Sequence, residues 1–189
     1  VAKAEKRFAK ALEIFPNHVG ALKGLASAYQ DKGDWNNLLS AFNNIIRNAT
    51  AAPEDVVHAY MTKGVVLDEQ MARPDKAAQH YKRCIDFQEG KYPLAFLRLS
   101  ELAMRRDEAV EAGRLAAKAV EQIVGDDKLA AAAHLAVALA AAAQNNAVGA
   151  DAALGKARDL DADLVEGLGD EPLANSTGFH QLLSSQFPT

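Results

Sequence analysis

Small and apolar residues recur along this chain in one spacing: a first residue, a larger one four positions on, and another small or apolar one three beyond that. The pattern runs through Ala4, Phe8 and Ala11, then Leu38, Phe42 and Ile45, then Ala77, Tyr81 and Cys84. It continues in smaller residues through Ala112, Ala116 and Ala119, and through Ala150, Leu154 and Ala157. Steps of four and three keep residues on one face of a helix. A second kind of segment precedes all but the first of these, with its own apolar set: Leu22, Leu25, Ala26 and Tyr29; Tyr60, Gly64 and Leu67; Phe96, Leu99, Ser100 and Ala103; His134, Val137, Ala138 and Ala141. The starts of the first pattern are 34, 39, 35 and 38 residues apart. A period of this size, with two helical patterns in each, predicts helix hairpins stacked on their neighbours.

Turn chemistry falls where the hairpins need it. Lys32-Gly33-Asp34 closes one helix and opens the next, with Gly at the left-handed closing position. Arg73-Pro74-Asp75 puts proline at a first helical position, and Asn145-Asn146 divides the last pair. Pro16-Asn17, Ala52 to Asp55 and Gly125 to Asp127 separate successive hairpins, and the longer periods are expected to come from extra residues in such loops. Glycine in a helix costs about 1 kcal/mol against alanine, so Gly64 marks a close approach to the helix around Ala77 to Cys84.

The stretch Ala4, Phe8, Ala11 and Pro16, followed by Leu22, Leu25, Ala26, Tyr29, Gly33 and Trp35, resembles the tetratricopeptide repeat signature in order and spacing. The resemblance extends over residues 1–160, by spacing more than identity in the later hairpins: Lys63 stands at a usual core leucine, and Ser100 and Ala116 are small at their places. It implies an all-α fold, a right-handed α-solenoid of helix-turn-helix hairpins. The expected units are a half repeat over 1–17, hairpins over 18–52, 53–91, 92–126 and 127–160, and a capping segment over 161–189. That segment carries Leu164, Leu168, Leu173, Phe179, Leu182 and Leu183, and a terminal repeat needs such a cover. Because residues 1–14 match only a second helix, the natural chain is expected to continue upstream.

Composition narrows function. Alanine and leucine dominate an apolar content of 49%, aromatic residues make up 6%, and the net charge is −4. A basic stripe of the kind that binds phosphate backbones is missing, which argues against nucleic acid. The most apolar stretch, Leu129 to Ala143, is short for a bilayer span and contains His134, so no direct membrane insertion is expected. A lone cysteine, Cys84, leaves the compartment open; the lack of a leader pattern favours the cytoplasm, and a cleaved leader would mean the periplasm. Phosphate loops, metal-binding His-Glu-x-x-His helices and Cys-x-x-Cys pairs are absent, and His18, His58, His80, His134 and His180 are scattered. No cofactor, no metal and no catalytic residue is expected. His134 and Cys84 read as core residues, and Asp68 and Glu69 are adjacent and face apart.

The resemblance also implies a binding surface, because first helices line the inner face of such repeats. Carried onto this chain, the lining is Lys23, Ser27 and Gln30; His58, Met61, Val65 and Asp68; Leu94, Leu97, Glu101 and Met104; Leu135, Leu139 and Ala142. Met61, Leu97 and Leu135 are expected to be partly exposed in a strip that takes an apolar or amphipathic peptide or helix of another protein; the alternatives are a register shifted by one position, or a tail that folds back and fills the groove. The family's clamp for a terminal carboxylate is incomplete: Lys23 fits, Ser27 and Thr62 replace asparagines, and Arg98 and Arg105 offer charge elsewhere. Two alternatives stay open: a self-assembling solenoid, forming a homo-oligomer through the helix at 3–14, and a regulatory or targeting segment of a longer enzyme.

Overall fold

The computed structural model describes residues 2–174 and 176–187, so residues 175, 188 and 189 of the expected capping segment lie outside it. Among the described residues all regular structure is helical. The chain divides into two compact units, one ending at Phe87 and the other beginning at Gln88.

The first unit contains α1 (Ala2–Ile14), α2 (Val19–Lys32), α3 (Trp35–Arg47), α4 (Pro53–Val65) with a π-helical turn over Val66–Gln70, and α5 (Pro74–Phe87). Each helix packs on the next. Leu22 and Ala26 of α2, Leu38, Phe42 and Ile45 of α3 and Ala59 of α4 form one buried cluster, with Leu12 and Tyr29 at its edge. Burying each large side chain contributes about 1.5–3 kcal/mol. The side chains of His18 and Asp34 cap α2 and α3 by accepting from Ala21 N and Asn37 N. Asn48 closes the following loop by donating to Asn17 O at 2.7 Å.

Gly64 lies where α4 meets α5. A β-carbon there would sit 2.3 Å from a ring carbon of Tyr81, which is wholly buried. This is the approach that the glycine signals in the sequence. Lys63, next to it, is buried although its position calls for leucine; its ammonium donates to Asn43 Oδ1, and burial followed by the charge of Arg47 lowers its pKa.

The second unit contains α6 (Pro93–Met104), α7 (Ala109–Gln122), α8 (Asp127–Ala143), α9 (Ala147–Leu160), α10 (Ala162–Glu166), a 3-10 turn over Pro172–Ala174 and α11 (Ser176–Gln186). Alanine carries its helix contacts: Ala112, Ala116 and Ala119 of α7 and Ala131 to Ala133 of α8 are fully buried. Ser100 keeps its core place because its hydroxyl donates to Ala112 O at 2.8 Å. Asp126 caps α8 by accepting from Leu129 N at 2.9 Å.

The uneven repeat period has a different origin from the one expected. Loops between hairpins are similar in length, spanning 48–52, 88–92 and 123–126. The extra residues lie in the first helices instead: α4 is prolonged by its π turn, and α8 has 17 residues against 12 in α6. Every hairpin turn holds one residue at positive φ, namely Gly33, Ala72, Asp107 and Asn145. Only the first is glycine, which explains why the later turns are faint in the sequence.

Candidate functional site: the face of the first helices

In the first unit this face is partly open. Lys23, Ser27, Gln30 and His58 are exposed and Val65 is half-buried, whereas Met61 and Asp68 are buried. Lys23 spans from α2 to α4 and donates to Asp55 Oδ1 at 2.6 Å. That pairing compensates the charge a carboxylate clamp would need. His58 sets its ring edge-on to Phe42 at 5.8 Å. Partial desolvation, then the Lys23 charge, lowers its pKa against the pull of Asp55, which favours the neutral imidazole at neutral pH.

In the second unit the same face is occupied by the chain itself. Helix α11 packs on α6 and α8. Its apolar residues Phe179, Leu182 and Leu183 are buried, and Leu182 and Leu183, three and four positions after Phe179, lie on its side of the helix. Polar contacts fix it further. Arg98, only 1% exposed, donates to Leu183 O at 3.2 Å and to Ser184 Oγ at 3.4 Å. Glu101, 2% exposed, meets His180 Nδ1 at 3.2 Å and Arg105 Nε at 2.8 Å. Lys128 at the start of α8 donates to Gln186.

Several expectations change as a result. Met61, Leu97 and Leu135 are fully buried instead of partly exposed, and Glu101 and Leu139 are buried as well. For the residues of α6 and α8, the reason is that α11 covers the face that first helices present. Leu94, Met104 and Ala142 remain half-buried. Arg98 and Arg105 do not form a clamp: one holds α11 and the other pairs with Glu101. Phe179 and Leu183 were expected as anchors of a capping segment, but their seat on α6 and α8 and the place of His180 beside Glu101 were not. Their signal was the amphipathic spacing, together with a lone arginine, Arg98, inside an apolar run.

His134 is not a core residue. It is half-buried and lines an open cavity of about 370 Å³ among α7, α8 and α9. Desolvation, then Lys156, lowers its pKa. Cys84 is buried as expected, and desolvation pushes its thiol pKa up to about 12. Among the described residues no helix is long and apolar enough to cross a membrane.

No family model matches the chain, and no curated protein matches it. Solved structures do. One titled "Crystal structure of MamA protein" aligns with a TM-score of 0.65 at 21% identity, covering 85% of this chain and 82% of the other. A second MamA structure gives 0.67 at 20% identity, over 84% and 87%. YrrB, described as "a TPR protein with an unusual peptide-binding site", gives 0.64 at 21% identity, over 86% and 78%. At this identity the likeness concerns fold alone. Together with the hairpins above, it establishes that the chain has an all-α fold of the tetratricopeptide type.

Proposed function

We propose that this chain is a protein-interaction scaffold that takes amphipathic helices or peptides on the face of its first helices. The observation that carries the reading is the seat of α11: a helix with one apolar side lies on that face in the second unit. The peptide-binding site named for YrrB, which shares the fold, supports it. In the first unit the corresponding surface offers Lys23, Ser27, His58 and Val65, with Met61 beneath. In the second unit, Leu94 and Met104 lie at the margin, with Leu97, Glu101, Leu135 and Leu139 as the floor. Such a surface binds by shape and by a few polar anchors. The role is one of binding and not of catalysis: Glu101 and His180, the conspicuous acid and imidazole, are engaged in holding a helix.

Selection of a displayed peptide library on the immobilised chain tests the proposal. Amphipathic sequences should be enriched, and Ser27→Trp with His58→Glu should abolish their capture while the circular dichroism spectrum stays helical. Both residues are exposed, so the fold should tolerate the changes. Enrichment indifferent to these substitutions would refute binding on that face. A second reading, self-association through α1, is favoured by Ile14 and Phe15, which are 64% and 63% exposed. Sedimentation showing a monomer that Phe15→Glu leaves unchanged would exclude it.

A further inference from the structure

The contacts of α11 are unlike those of a simple cap. A segment that only covers an apolar end needs apolar contacts, as Phe179 and Leu183 provide. Here two charged side chains, Arg98 and Glu101, are almost wholly buried and aimed at the helix. Burying charges is costly before pairing, and apolar residues of similar volume often serve stability as well or better. The best-attested use of buried charge is to fix register or to serve a switch.

Each charge reads a distinct feature. Leu183 lies in the last turn of α11, where its carbonyl also accepts from Phe187 N. A cation at this end matches the negative pole of the helix, so Arg98 recognises a helix C-terminus. Glu101 Oε1 lies 3.2 Å from Nδ1 of an imidazole one residue after the aromatic anchor, at His180. The face therefore has a direction and a pattern: an aromatic residue, a basic side chain next to it, then leucines three and four after the aromatic.

We infer that α11 is a resident ligand of its own scaffold, held where an incoming helix of that pattern binds, and that Glu101 selects the residue following the aromatic anchor. This rests on the proposed scaffold role and specifies its ligand. A tethered segment competes at high effective concentration, so the intact chain should bind such a helix weakly until the tail is loosened.

The test is a titration of a fluorescently labelled peptide of residues 176–187 against the full chain. The wild type should bind it weakly. A chain carrying Phe179→Ala and Leu183→Ala, whose own tail is loosened, should bind it roughly a hundredfold more tightly. Adding Glu101→Lys to that chain should remove the gain, and a peptide with His180→Glu should restore it. Equal affinity in wild type and loosened chain, or indifference to the charge exchange, would overturn the inference. Should the loosened chain lose its helical signal, the wild type decides. Excess unlabelled peptide should then speed amide exchange of residues 176–187 in an isotope-labelled chain and leave α7 unchanged; unaltered exchange of the tail would overturn the idea. Peptide selection on the Ser27 and His58 surface is independent of the tail, so the two readings fail separately.

Discussion

Replacing glycine by alanine should have opposite effects at two helical positions of this chain. Alanine gains about 1 kcal/mol over glycine within a helix. At Gly155 of α9 nothing lies within 4 Å of the new methyl, so Gly155→Ala should stabilise by about 0.5–1 kcal/mol. At Gly64 the same methyl meets three Tyr81 ring atoms at 2.3, 2.7 and 2.9 Å. Carbon atoms prefer about 3.5–4.0 Å, so α4 and the ring must part by more than 1 Å on the order of a bond length. Tyr81 is wholly buried. Over-packing of this kind costs about 1–3 kcal/mol and occasionally more. At the upper end of that range, less the helical gain, Gly64→Ala should destabilise by about 2 kcal/mol. For a chain of this size that lowers Tm by about 4–8 °C. Thermal and urea melts of both variants measure the two effects. A double-mutant cycle with Tyr81→Leu should show favourable coupling, because the smaller side chain relieves the clash. If the two alanine variants move stability in the same direction, the contact between α4 and α5 is not the one described.

Three further outcomes are expected. Cys84, buried with its thiol pKa raised to about 12, should resist alkylation at pH 8 in the folded chain and react at the rate of unfolding; rapid labelling of native protein would contradict its burial. Asp126→Ala should cost about 1 kcal/mol through loss of the α8 cap, and Asp126→Asn much less; equal losses in urea melts would point to another cause. Desolvation, then Lys63 and Arg83, lowers the His80 pKa from 6.5 to about 4. Between these values the unfolded chain takes up a proton that the folded chain does not, so stability should be constant above pH 6.5 and fall as pH drops towards 4. His80→Gln should flatten that slope, and an unchanged slope would place the dependence elsewhere.

The hairpins were legible in the chain itself, because local periodicity and turn chemistry act over a few residues. Phe8, Phe42 and Tyr81 recur on matching faces, and Gly64 announces its neighbour through the absence of a side chain. Gly33 marks its turn, whereas Ala72 and Asp107 adopt the same left-handed backbone without the residue that would reveal it. Of the positions expected to line the first helices, Lys23, Ser27 and His58 are exposed. Whether the tail covers the rest was an open alternative that periodicity could not decide. Leu97 and Leu135 follow the spacing of an open face, yet both are buried, on helices against which α11 packs from more than forty residues away in sequence. The partnerships of Arg98 with Leu183 and of Glu101 with His180 are likewise long-range. Periodicity tells which side of a helix a residue occupies, but the segment that occupies that side is chosen by tertiary packing, where a tail with a matching apolar face and compensating charges displaces water.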